Sequence, residues 1–347
     1  MSNSEIGSLT SQREGSGPKS WAENHWYTKN TSSYPSSEEA FYDIQRCVQS
    51  FIQTGHVPKQ PILKPEGNVV TIGSCFAAEL RHFLVEVGLS SNSFWIPSGL
   101  NNTFALKDFL SWIVTGEETA TGYRYERTQE GDVKDWKPEY EREFYLEQLK
   151  LASSFVFTLG LAEIWEDNVT KKVFWRGIPE SIFDEGRHIF RLSTVNENVE
   201  NIKSIITLLK TVNVEAPVIF TLSPVPLKAS FQGVSCMTAD CVSKSTLRVA
   251  LHEALLTAPE DIYYWPSFEI IKWLGCHLPY PVYGTDDSVV RHVSRFMVLQ
   301  ILRAFTSAYY GKGLSSSVFD NFESSLEKLD GNSGEPPQIY KGTVVSA

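Results

Sequence analysis

The segment Gly73-Ser74-Cys75-Phe76-Ala77 places a hydroxyl and a thiol side by side. Either side chain can act as a nucleophile once its proton is removed. The preceding Val69-Val70-Thr71-Ile72 is short and β-branched, as a buried strand should be. From Phe76 to Val87, apolar residues recur at Phe76, Leu80, Phe83, Leu84 and Val87, which predicts a helix with Gly88 beyond its end. Ser74 and Cys75 therefore fall where a strand hands over to a helix. Unpaired N–H groups and the positive end of the helix dipole gather there, and they favour a thiolate over a thiol. By itself the segment also reads as an N-cap serine followed by a small buried residue.

The far end of the chain supplies the matching base. In Asp286-Asp287-Ser288-Val289-Val290-Arg291-His292 an acid shortly precedes a histidine, at the expected start of a helix over Val289–Phe305. That order suits a general base and its orienting carboxylate. Between the two segments, Phe155–Leu159 is a strong strand candidate ending at Gly160, whose N–H is positioned to stabilise an oxyanion. Gly99-Leu100-Asn101-Asn102 follows another expected strand, Phe94–Pro97, and offers one more amide and two side-chain amides. Glu163 reads either as a residue that orients substrate or contacts the first motif, or as a plain carboxylate at a helix start. Arg291 reads either as an anion-binding residue or as half of an ordinary ion pair, and Lys228 ends a proline-rich loop after a strand. Cys236, Cys241, Cys276 and His277 do not fall into a structural-zinc spacing, so no metal site is expected.

The elements that must position these residues alternate in type. Helical spacing marks Ser37–Thr54, Thr103–Val114, Asn196–Thr211 and Ser243–Leu256; buried-strand character marks Pro217–Leu222 and Ile262–Trp265. Strands alternating with helices predict an α/β fold with a parallel sheet covered on both faces. Residues 1 to 36 and 312 to 347 read as polar tails around one domain over 37–311. The charged and aromatic stretch 116–150 reads as an insertion. With 42% hydrophobic residues the chain can build a core, and its formal charge of −10 argues against a general role on nucleic acid. Met1–Ser20 lacks the apolar stretch of a secretory signal, no run of about 18 apolar residues occurs, and the five cysteines are an odd number. Free thiols and a cytoplasmic setting are the expectation.

Taken in order, these segments resemble the GSCFA family. The resemblance rests on Ile72-Gly73-Ser74-Cys75-Phe76-Ala77, on Thr158-Leu159-Gly160-Leu161-Ala162-Glu163-Ile164-Trp165, and on Leu222-Ser223-Pro224-Val225-Pro226-Leu227-Lys228. Pro266-Ser267-Phe268-Glu269-Ile270 and Arg291-His292-Val293-Ser294 complete it. It runs from about residue 60 to residue 308. The family is grouped with the SGNH, or GDSL-like, hydrolases, which implies a flavodoxin-like three-layer α/β/α sandwich and acyl chemistry of the serine-esterase type. Three departures follow from a gapless match. Ser74 stands where those enzymes carry the Asp of Gly-Asp-Ser, and Cys75 stands at the nucleophile. Gly160-Leu161-Ala162-Glu163 replaces Gly-x-Asn-Asp, so the Asn donor is absent. Val289 stands three residues before His292, where an Asp is expected. The expectation is an acyl-enzyme on Cys75 with His292 as base and Asp287, or its rival Asp286, as orienting acid. The oxyanion is expected on amides of Cys75, Gly99 and Gly160, helped by Asn101 or Asn102. Ser74 as nucleophile, or an inactive binding protein on the same scaffold, are the alternatives. The expected partner is a small or carrier-bound acyl substrate, with no cofactor; the oligomeric state is not legible.

Overall fold

In a computed structural model, the described residues are 34–90, 100–117, 124–127, 132–138, 140–284 and 289–311, with Ser32 and Phe319. Four parallel strands form the centre: β1 (Val69–Gly73), β4 (Ser154–Leu159), β7 (Val218–Leu222) and β8 (Ile262–Trp265), in that spatial order. Two antiparallel pairs lie outside this sheet, β2 (Tyr125–Arg127) with β3 (Val133–Asp135) and β5 (Glu163–Asp167) with β6 (His188–Leu192). Register aligns Gly73, Thr158, Thr221 and Trp265 in one row at the carboxyl end of the central sheet. Both faces are covered, so the strands read as continuous buried runs.

Alternation sorts the side chains into two cores. Val70, Ile72, Phe155, Phe157, Phe220 and Tyr264 pack with α4 (Thr103–Thr115), α5 (Arg142–Lys150), α6 (Val195–Val212) and α7 (Cys236–Leu255). Val69, Val156, Ile219 and Trp265 face the other layer. That layer holds α1 (Glu39–Tyr42), α2 (Ile44–Cys47), α3 (Cys75–Glu86) and α9 (Arg295–Tyr309), with the π-turn Ile270–Leu274 that continues α8 (Ser267–Glu269). The result is a three-layer α/β/α fold. Burying each of these large apolar side chains contributes roughly 1.5–3 kcal/mol.

The chain leaves β1 into α3 on one face, but after β4 and the β5–β6 hairpin it enters α6 on the other face. Connections that diverge from adjacent parallel strands open a crevice beyond their carboxyl ends, where ligands of such sheets bind.

Several expected elements have different bounds. The single helix over Ser37–Thr54 is broken at Asp43 (φ −92°, ψ 88°), whose carboxylate accepts from the Arg46 N–H at 3.0 Å and starts α2 afresh; a π-turn, Val48–Ile52, follows. The last helix begins at Arg295, capped by Ser294, six residues later than Val289. Its periodicity continued backwards into a segment that is paired with another strand of chain instead. α7 starts at Cys236, seven residues before the expected Ser243. Gly88 (φ +75°) stands just past α3, as expected for a left-handed terminus. The expected strand Phe94–Pro97 lies outside the described residues.

Candidate functional site

Ser74 and Cys75 occupy the turn from β1 into α3. Ser74 is extended (φ −72°, ψ 178°) and its N–H donates to the Thr158 carbonyl at 3.1 Å, so β1 stays paired to β4 up to the first residue of the helix. Gly73 makes this possible. Its φ is +138°, and a Cβ there would lie 2.2 Å from the Thr158 carbonyl oxygen. The Cys75 backbone opens α3, and its side chain lies outside the described residues. Ser74 Oγ, in the N-cap position, caps nothing: it is buried and without a hydrogen-bond partner, and the same holds for Thr158 Oγ1.

Beyond β4, backbone donors are committed to the protein. The Gly160 N–H donates to the Asn101 carbonyl at 2.6 Å, the Leu161 N–H reaches the same oxygen at 3.3 Å, and the Ala162 N–H donates to Ser243 Oγ at 2.8 Å. Gly160 thus positions Asn101 instead of presenting an oxyanion donor, which corrects the expectation from the sequence. A Cβ at Gly160 would come within 3.0 Å of the Asn101 Cβ, so the glycine is what lets the two segments approach. Asn102 is also otherwise engaged. Its Oδ1 accepts from Ala105 N–H (2.8 Å) as the cap of α4, and its Nδ2 donates to the Trp175 carbonyl (3.2 Å). The half-buried Asn101 side chain makes no hydrogen bond among the described residues and stays available beside Gly160. Gly99 lies outside the described residues.

Glu163 does not start a helix; it starts β5. Its carboxylate accepts from Ser230 Oγ (2.7 Å) and Gln232 Nε2 (2.6 Å), fastening the loop that follows β7 to the end of β4.

His292 is brought to the same end of the sheet by a clamp. The Gly284 N–H donates to the His292 carbonyl (2.8 Å) and the Ser294 N–H to the Val282 carbonyl (2.9 Å), with Tyr283 and Val293 bridged antiparallel between them. Tyr283 OH donates to the Pro224 carbonyl (3.0 Å) and Arg291 Nη1 to the Pro226 carbonyl (3.3 Å), which ties the clamp to the loop after β7. Arg291 therefore holds a main-chain carbonyl where an ion pair or a ligand anion was expected. Burial, with Asp240 and Cys276 nearby, holds the Tyr283 phenol protonated well above its ordinary range. His292 is half-buried and precedes α9 instead of opening it. Asp286 and Asp287 lie outside the described residues; Gly284 and His292, which the clamp pairs, stand on either side of them in the sequence.

A model of the GSCFA family matches residues 68–305. The chain belongs to the GSCFA family. The match spans both segments that the clamp and the β1–α3 turn bring to one end of the sheet. No curated protein matches the chain closely enough to be compared.

Two family-region residues escaped the sequence reading. Lys244 is buried in α7 and donates to the Gly160 carbonyl at 2.5 Å, while its neighbour Ser243 receives the Ala162 N–H. The signal was present: Asp240, Ser243 and Lys244 share a helical stripe with Leu247 and Leu251. Thr158 was hidden inside an apolar strand. The four residues considered for zinc are dispersed in their bonds. Cys236 Sγ donates to the Leu227 carbonyl (3.5 Å), Cys276 Sγ to the Lys272 carbonyl (3.1 Å), and His277 bonds Tyr34 OH (2.6 Å). Among the described residues no three His, Cys, Asp or Glu could hold a metal ion, and no helix is long and apolar enough to cross a membrane.

Proposed function

We propose that the chain is an acyl-transfer enzyme of the SGNH type, working through a thioester on Cys75 with His292 as general base. The observation that carries this is the placement of Ser74-Cys75 at the start of α3, beside the end of β4, where the connections diverge. The Ala77 N–H is taken by the Ser74 carbonyl (2.9 Å), and the positive end of the helix dipole at this terminus favours whatever negative charge sits there. A thiol there loses its proton more readily than in water. Its sulfur forms a bond to the acyl carbon while the carbonyl π pair moves onto oxygen. His292 takes the thiol proton and returns it to the leaving group as the tetrahedral adduct collapses. It then activates the acceptor, which is water, an amine or a thiol. The pairing of Gly284 with His292, which flank Asp286 and Asp287 in the sequence, supports Asp287, or Asp286, as the carboxylate that orients His292. Asn101 is the side-chain amide best placed to help hold the oxyanion.

Ser74 has less support as nucleophile, because its Oγ makes no hydrogen bond to His292 or to any other group. The inactive-scaffold reading draws on the commitment of the Gly160, Leu161 and Ala162 amides. Intact mass after incubation with a panel of ester and thioester donors separates the three. An adduct mapped to Cys75, lost in Cys75→Ala and slowed at least ~100-fold in His292→Ala, is expected. An adduct on Ser74, or none on wild type with ligand binding unchanged in Cys75→Ala, overturns the assignment.

A further inference from the structure

The carboxyl end of the central sheet presents three threonines toward the α3 layer. Thr71 Oγ1 donates to the Ala77 carbonyl (2.9 Å) and Thr221 Oγ1 shares a hydrogen bond with Ser267 Oγ (2.6 Å). Thr158 lies in register between Gly73 and Thr221, is fully buried, and its hydroxyl has no partner. A buried hydroxyl left unpaired costs about 1–3 kcal/mol, and native structures leave few of them. A second one, Ser74 Oγ, stands one residue beyond Gly73, in the N-cap position of α3. Valine would fill the volume of Thr158 without that penalty. The backbone amides at the end of β4 are spent on Asn101 and Ser243, and the Asn donor expected of the wider superfamily is replaced by Ala162. Uncommitted hydrogen-bond donors at the α3 N-terminus and the β4 end thus include these two hydroxyls.

We propose that Thr158 Oγ1 is a catalytic hydrogen-bond donor to the acyl oxygen of the substrate, assisted by Ser74 Oγ. This rests on the acyl-transfer reading above. Ser74 is only half-buried, lies in the N-cap position of α3 and follows Gly73, the register partner of Thr158, so it marks the side from which a substrate oxygen would approach. As the Cys75 sulfur bonds to the acyl carbon, the carbonyl π pair becomes a third lone pair on that oxygen. The Thr158 hydroxyl donates to it and keeps its own proton, and the thiol proton resides on His292. Collapse restores the C=O bond and expels the leaving group with the proton from His292. A donor that meets its acceptor only in this adduct accelerates the step without tightening substrate binding. The substrate class is therefore a carboxylic ester or thioester, whose carbonyl oxygen gains the charge that the Thr158 hydroxyl meets.

The test compares wild type, Thr158→Val and Thr158→Ser. The probes are p-nitrophenyl acetate and an acetyl thioester, read by steady-state kinetics and by the rate of acetyl-cysteine formation in intact mass. Thr158→Val should acylate ~100-fold more slowly with KM nearly unchanged, the size expected for one oxyanion donor. Thr158→Ser should recover to within about tenfold of wild type, since the hydroxyl remains. Melting temperature is read alongside: removing an unpaired hydroxyl leaves it unchanged or raises it. Wild-type acylation in Thr158→Val overturns the inference and leaves the Cys75 reading standing. Equal slowing in Val and Ser variants also overturns it, because packing would then explain both. If wild type forms no acetyl-cysteine with either probe while the broader donor panel does, the acyl-oxygen role falls; if no donor labels it, the proposed function falls as well.

Discussion

At the scale of single residues, the candidate site depends on one backbone conformation. Gly73 adopts φ +138°, and its missing side chain is what allows Ser74 to bond the Thr158 carbonyl. Any Cβ meets main chain there, and main chain cannot swing aside as a side chain can. Gly73→Ala therefore combines a strained φ with a clash in the middle of the β1–β4 pairing. Strain of this kind costs on the order of 1–3 kcal/mol before the clash is added. We expect a melting temperature lowered by several degrees, and activity lost even at temperatures where the variant is folded. A variant with wild-type melting and turnover would show that the turn relaxes without consequence. The proposed role of Cys75 depends on this geometry, because the glycine lets the strand end deliver residue 75 straight to the first turn of α3.

Among the elements, the position of His292 depends on an antiparallel clamp more than on a helix. Val282–Gly284 and His292–Ser294 pair antiparallel, and Tyr283 and Arg291 anchor the pair to the carbonyls of Pro224 and Pro226. Gly284 adopts a left-handed φ of +71°, and a Cβ there would sit 2.8 Å from the Val290 Cα. Tyr283→Phe removes one anchor while keeping the ring. Loss of a buried hydrogen bond of this type costs about 1 kcal/mol. The consequence for turnover is expected to be larger than for stability, because a general base, the role proposed for His292, needs its place within a fraction of an ångström. Turnover down about tenfold with a melting point within a few degrees of wild type is the expected pattern. Unchanged turnover would show that Arg291 and the backbone pairs hold the clamp alone. The end of β4 is fixed in a similar way from α7, through Lys244 and Ser243.

For the whole molecule, the β5–β6 hairpin carries an ion pair whose contribution depends on pH. Asp167 is buried and receives Arg187 Nη2 at 2.6 Å, Arg187 Nε at 3.0 Å and the Val169 N–H at 2.9 Å. The Arg187 hydrogen bonds, with those from Val169 and Thr170, hold its carboxyl far below the ordinary carboxylate range. The folded state thus binds this proton more weakly than the unfolded chain does. The stabilisation is complete above the unfolded value, about 3.9, and is lost as pH falls from there toward the folded value. Asp167→Asn should destabilise the protein at neutral pH, and the difference from wild type should shrink progressively below about pH 4. Denaturant titrations at several pH values check this. A difference independent of pH would assign the effect to packing instead of charge.

Much of this architecture is legible in the order of residues. Runs such as Phe155–Leu159 and Val218–Leu222 are buried on both faces, and that condition writes itself into consecutive apolar residues. The junction at Gly73-Ser74-Cys75 was readable for the same reason: a β-branched run, a glycine and a 3.6-residue periodicity are local signals. The hairpin β5–β6, the clamp around His292 and the late start of α9 were not readable. They depend on which carbonyl a given N–H finds, and partners such as Gly284 with His292 or Gly160 with Asn101 are chosen by tertiary packing. The donors at the site show the limit most clearly. Gly160 and Asn102 carry the right groups in the right places along the chain, yet folding commits those groups to Asn101, Ala105 and Trp175. Thr158, indistinguishable in sequence from its apolar neighbours, keeps a hydroxyl that folding leaves unpaired. Sequence by itself determined the central strands, most of the long helices, and that Ser74 and Cys75 stand where a strand meets a helix. Only the tertiary structure decided which polar groups remain uncommitted there, because a hydrogen bond is satisfied in three dimensions and not along the chain.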